Sequence, residues 1–153
     1  MNQVSQASMY LIGITVRTSN EAGKSGTDIP ELWNRFISQG LLKQIPGRIN
    51  DTIYCVYTEY ESDFTKPYTT LLGCQVASLE NIPEGMKGIE IPEGIYEQVT
   101  VKGNLLEGIV YDAWTEIWDR PLQRTYRADF EVYDEKAADM SNAEVNIFVG
   151  VQN

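Results

Sequence analysis

Residues 10–18 (YLIGITVRT) are rich in apolar and β-branched side chains, which predicts a strand. The polar, glycine-bearing stretch SNEAGKSGTD follows as loop. Asp28 then stands as a helix cap, with Pro30 near the first turn and Glu31 three residues on. Leu32, Phe36, Ile37 and Gly40 recur behind it at helical spacing, with Trp33 beside the stripe, until Pro46-Gly47 closes the element. Residues 53–60 (IYCVYTEY) and 68–78 (YTTLLGCQVAS) predict a second and third strand around a turn at 63–67. After a turn-rich segment at 81–88 the same order returns. A strand is expected at 94–102 and a helix at 105–119, in which Leu106, Ile109, Val110, Ala113, Ile117 and Trp118 share helical spacing. Pro121 ends it, and strands at 128–133 (ADFEVY) and 145–151 (VNIFVGV) complete the chain.

Strand–helix–strand–strand, twice over, predicts an α+β fold of duplicated units. Such a fold has pseudo-twofold symmetry: one antiparallel sheet of about eight strands with two main helices on one face. Faint echoes fit the duplication. Val56-Tyr57-Thr58-Glu59 resembles Val132-Tyr133-Asp134-Glu135, and Leu72-Gly73-Cys74-Gln75 resembles Val149-Gly150-Val151-Gln152. One domain over 1–153 is expected, with repeat halves of roughly 1–80 and 81–153. Two half-sheets meeting at such an axis leave a groove, a common place for a ligand.

Composition narrows the function classes. The net charge of −10 argues against direct nucleic-acid binding; it serves solubility alone or favours a cationic ligand or a basic protein partner. Histidine is absent, which removes the commonest metal ligand and the commonest general base, so neither a metal nor a cofactor is expected. No apolar run approaches the length of a membrane span and the N-terminus lacks the pattern of a secretory signal, so a cytoplasmic location is the expectation. Cys55 and Cys74 fall on the two strands of one hairpin; a symmetric hairpin sets them face to face, as two packed thiols in a reducing cytosol or as a disulfide.

Aromatic residues carry the candidate chemistry. Alternation on 128–133 puts Phe130 and Val132 on one face, as core, and Asp129, Glu131 and Tyr133 on the other. On the last strand Val145, Ile147, Val149 and Val151 form the core set, leaving Phe148 on the polar face with Asn146 and Gly150. An aromatic ring near a mid-strand carboxylate is what a cation–π site uses. Tyr57 can line the same groove from the other half, and Tyr111, Trp114 and Trp118 share one side of the second helix. Trp33 and Trp118 read first as packing residues.

The segments Ile91-Pro92-Glu93-Gly94-Ile95-Tyr96, Tyr111-Asp112-Ala113-Trp114-Thr115-Glu116-Ile117-Trp118 and Asp129-Phe130-Glu131-Val132-Tyr133-Asp134-Glu135 resemble the GyrI-like (AraC effector-binding) domains. Within that family the likeness is to stand-alone small-molecule binders of the kind carried on integron cassettes. The resemblance implies a central aromatic pocket with a carboxylate, Glu131, that neutralises cationic, lipophilic, drug-like molecules. By element it implies Tyr57, Tyr111, Trp114 and Phe148 as ring contacts. The expected role is a sensor or sequestering protein rather than an enzyme. Two alternatives accompany it: a hydrolase of electrophilic cyclopropane-type toxins with Glu131 as base or stabiliser, and an acidic inhibitor of a protein partner. The helix-turn-helix segment of DNA-binding relatives is absent from the sequence, and an exposed edge strand offers a route to a homodimer.

Overall fold

The computed structural model describes residues 2–152, so the expected outer bounds at 1 and 153 lie outside it. Eight strands form one sheet: β1 (Asn2–Gln6), β2 (Met9–Thr18), β3 (Ile53–Thr58), β4 (Tyr68–Val76), β5 (Lys87–Ile91), β6 (Gly94–Gly103), β7 (Arg124–Tyr133) and β8 (Ala143–Val151). Helix α1 (Ser25–Ser38) follows β2, and α2 (Ile109–Trp118) follows β6. All neighbouring strands are antiparallel, in the order β1-β6-β8-β7-β3-β4-β2-β5.

That order reads alike from both ends. The half β5-β2-β4-β3 meets its counterpart β1-β6-β8-β7 at the β3/β7 seam. Each edge strand crosses over: β1 precedes β2 in the chain yet pairs with β6, and β5 precedes β6 yet pairs with β2. These two edges are the strands that periodicity does not reveal. Asn2–Gln6 is polar and exposed on most positions, and Lys87–Ile91 carries only two apolar residues at its end and middle.

The expected helices are present with moved boundaries. α1 begins three residues before Asp28 and holds Pro30 inside it, with Asp28 as a first-turn acid beside the positive helix end. The second expected helix is divided at Gly108, whose φ of 75° is left-handed: a 3₁₀ turn, Leu105–Glu107, precedes it and α2 follows.

Both faces of the sheet are buried, which alternation within a single strand cannot announce. Under α1 pack Ile12, Ile14, Leu72 and Cys74 with Leu32 and Phe36. Under α2 pack Ile147 and Val149 with Trp114 and Ile117. The far side carries its own cluster of Leu11, Val56, Leu71, Tyr96, Phe130 and Phe148, drawn from the strands alone. Cys55 and Cys74 are both buried free thiols. They do not face each other, because the hairpin register sets Cys55 opposite Leu72 and Tyr54 opposite Gly73.

Gly13 and Gly73 lie directly opposite on β2 and β4, and a Cβ on either would come within about 2 Å of the partner strand's carbonyl oxygen. We expect Gly73→Ala to destabilise the protein by about 2–3 kcal/mol in urea unfolding, the upper range for overpacking a close backbone contact.

Candidate functional site

The seam between the halves positions the site. Cys55 on β3 lies opposite Glu131 on β7, Tyr57 opposite Asp129, and Ile53 opposite Tyr133. All of these side chains point to the helix face. Glu131 therefore sits on the helix side of the sheet, 1 % exposed, between α1 and α2, and not on a polar face opposite the core. Phe130 and Val132 belong to the other face, as alternation requires.

Glu131 accepts three hydrogen bonds. Tyr57 Oη and Trp114 Nε1 donate to Oε2 at 2.5 and 2.7 Å, and Tyr133 Oη donates to Oε1 at 2.5 Å. All three donors are neutral, and among the described residues no ion pair reaches this carboxylate. Burial raises its pKa, and the three donors pull it partly back by favouring the ionised form. Burial also pushes the phenols of Tyr57 and Tyr133 well above their ordinary range, so both stay protonated donors.

Above Tyr57 and Trp114 a cleft opens between the start of α1 and α2, with about 440 Å³ of unfilled space counting its mouth. Its walls are Tyr57, Tyr60, Phe64, Tyr68, Tyr111, Trp114 and Trp118, with Ile29, Ser25, Asn20 and Arg124. The rings brace one another. Tyr57 meets Trp114 edge-on at 5.5 Å and Tyr68 at 5.9 Å, and Phe64 stacks flat on Trp118 at 5.2 Å. Such a wall offers π faces to a weakly hydrated cation or to aromatic rings.

Arg124 already uses part of that wall. Its guanidinium lies 4.4 Å from the Tyr126 ring centroid and 5.7 Å from that of Trp114. It pairs with Asp129 at 2.7 Å, both side chains being almost fully buried. Asp129 also accepts from Tyr60 Oη at 2.5 Å and from the Gly150 amide at 2.8 Å. The pair closes a register break in which β7 carries extra residues between Arg124 and Asp129, with Tyr126 left-handed at φ 54°. Among the described residues, Nε and Nη1 of Arg124 have no hydrogen-bond partner. With Asp129 satisfying Arg124, the net charge beneath the cleft is that of Glu131.

Four of the five expected contacts converge here. Glu131 lies under the cleft; Tyr57 and Trp114 form its floor, and Tyr111, largely exposed, stands at the rim. Phe148 does not join them. It pairs with Phe130 across β7 and β8 and stacks on it at 4.8 Å on the far face, because Ile147 is the residue opposite Glu131. The expectation for Phe148 assumed that Val145, Ile147 and Val149 faced away from Glu131; they share its face. Sequence reading missed Tyr60, Phe64, Tyr68 and Arg124, which come from loops and strand ends, and underrated Trp118. The Asp129 of D-F-E-x-Y was the available signal for Arg124, since a mid-strand aspartate needs a partner.

Comparison with known proteins agrees with the fold and assigns the family. The chain is 31% identical over 144 residues to YobU of Bacillus subtilis (strain 168), named as a candidate transcriptional regulator, covering 92% of this chain and 90% of that one. Its fold matches the Vibrio cholerae integron cassette protein VCH_CASS2 with a TM-score of 0.76 and 27% identity, over 99% and 95% of the two chains. It matches SAV2435, solved bound to tetraphenylphosphonium, with a TM-score of 0.81 and 16% identity, over 99% and 93%. A family model for Cass2, the integron-associated effector-binding proteins, matches residues 4–151, and the chain belongs to that family.

Proposed function

We propose that this effector-binding protein takes up lipophilic, aromatic monocations in the cleft over Tyr57 and Trp114, with Glu131 supplying the counter-charge. The observation that carries this reading is Glu131 itself: a fully buried carboxylate with three neutral donors and, among the described residues, no cationic partner. An isolated buried charge is costly, and a bulky cation relieves that cost while losing little hydration of its own. The structural likeness to a protein solved with tetraphenylphosphonium supports this choice of probe. Ring contacts contribute about 0.5–2 kcal/mol each and tolerate many shapes, so selectivity is broad and charge is the main filter.

The test is a tryptophan-quenching titration with tetraphenylphosphonium, neutral triphenylphosphine oxide and the anion tetraphenylborate. The phosphonium is expected to saturate alone; an equal response to all three, or to none, overturns the reading.

Binding should also depend on pH. The native pKa of Glu131 is raised above the ordinary 4.5, so on acidification the carboxylate takes up its proton earlier than a free glutamate. Cation affinity is expected to rise with pH through that elevated window and to level off above it. Isothermal titration calorimetry across pH checks this, and a midpoint at or below 4.5 would place the charge on some other group.

A further inference from the structure

We infer that the protein has a second cleft for lipophilic cations, related to the first by the pseudo-twofold and drawing on the same Glu131 carboxylate. This rests on the proposed function and extends it to a site on the other side of the seam.

The pair Cys55–Glu131 is the centre of the duplication. Tyr57 stands two residues after Cys55 on β3, and Tyr133 two residues after Glu131 on β7. Both phenols donate to Glu131 at 2.5 Å, one to each carboxylate oxygen. Each tyrosine meets a tryptophan of the other half's helix edge-on: Tyr57 with Trp114 of α2 at 5.5 Å and 85°, Tyr133 with Trp33 of α1 at 4.7 Å and 75°. The likeness extends to the helix positions. In the first cleft α2 contributes residues 111, 114 and 118; in the second α1 contributes Pro30, Trp33 and Ile37, at the same spacing.

The second cleft is wider, about 1880 Å³ counting its open mouth, and mostly apolar, with Leu105 and Met140 completing the wall that Trp33, Ile37 and Tyr133 begin. Its charged lining residues are all acidic: Asp51, Asp134 and Glu135. Exposed Asp51 is paired with half-buried Arg48 at 3.2 Å, which leaves Asp134 and Glu135 as the rim's main negative charge. The first cleft holds the Arg124 guanidinium against its rings; no Lys or Arg lines the second. Size, apolar lining and charge all fit a bulkier cationic aromatic molecule than the first cleft takes. Because one carboxylate serves both sides, a cation on one side spends the charge available to the other, and the two sites are negatively coupled.

The three tryptophans divide between the clefts, Trp33 in the second and Trp114 and Trp118 in the first, so each reports its own site. The experiment is ¹⁹F NMR of the full chain labelled with 5-fluorotryptophan, titrated with tetraphenylphosphonium and, as a neutral control, triphenylphosphine oxide. The Trp33 resonance is expected to shift saturably with the phosphonium only, with a midpoint on the order of tenfold above that of Trp114 and Trp118. Ala138→Phe, at an exposed position on the second cleft's wall, should abolish the Trp33 shift and leave the other two midpoints unchanged or tighter. A stationary Trp33 beside shifting Trp114 and Trp118 overturns the second site and leaves the first. A Trp33 shift that tracks the other midpoints and survives Ala138→Phe is a transmitted effect and also overturns it. If no resonance moves, the proposed function fails and the second site with it.

Discussion

Glu131→Gln is expected to abolish most cation binding while leaving the protein folded. For a monocation over Tyr57 and Trp114, a charge separation taken as about 6–7 Å gives about 2.5 kcal/mol at an effective dielectric near 20, so its loss weakens binding by about seventyfold. Neutral aromatic ligands have no such term and should be unaffected. The amide keeps the local geometry: its oxygen accepts from Tyr57 and Trp114 as Oε2 does now, and its NH₂ meets Tyr133 Oη, which turns to accept. Stability should be unchanged at low pH. Because the native pKa of Glu131 is raised, the folded wild type binds this proton more tightly than the unfolded chain. Wild-type stability therefore falls as pH climbs from the unfolded value through the native one, and the mutant gains on it across that window. Calorimetric titration and urea melts at several pH values measure both effects, and a mutant that binds tetraphenylphosphonium like the wild type would remove Glu131 from the account.

Asp129→Asn is the second large effect, and it is on stability. The substitution leaves the Arg124 guanidinium charged, buried and without an ion-pair partner, and it weakens the acceptance from Tyr60 and the Gly150 amide. Removing one member of a buried pair costs about 3–5 kcal/mol. For a chain of this size that lowers Tm on the order of 10 °C. Thermal melts by circular dichroism would show it; a Tm within 2–3 °C of wild type would mean that the register break is held by other contacts. Glu131 and Asp129 are thus two carboxylates on one strand face with opposite assignments. Asp129 has its cation inside the protein, and Glu131 has none among the described residues.

The order of elements was legible because the two repeats carry long apolar runs and two helices with clear spacing. The GyrI-like resemblance rested on I-P-x-G-x-Y, the paired tryptophans and D-F-E-x-Y, and membership of the Cass2 family agrees with it. What periodicity could not show was which face of β7 met the helices. Phe130 and Glu131 are both buried, one among rings and the other among hydrogen-bond donors, and an apolar residue marks burial in a sequence where a satisfied carboxylate does not. That ambiguity sent Phe148 to the wrong side of the sheet. The edge strands escaped for a related reason: each is short and largely polar, and each pairs into the half opposite to that of the strand that follows it. Tyr60, which the expected strand 53–60 took in, lies beyond the end of β3 at Thr58, and Phe64 in the following turn carries no periodic signal.

The most direct measurement of the central claim is a crystal structure of the protein with tetraphenylarsonium, whose arsenic is located by its anomalous scattering. The account predicts an arsenic peak in the cleft above Tyr57 and Trp114, the two residues that donate to Glu131 Oε2. A peak only on the acidic surface, with the cleft vacant and the Tyr57, Trp114 and Tyr133 hydrogen bonds to Glu131 undisturbed, would contradict it.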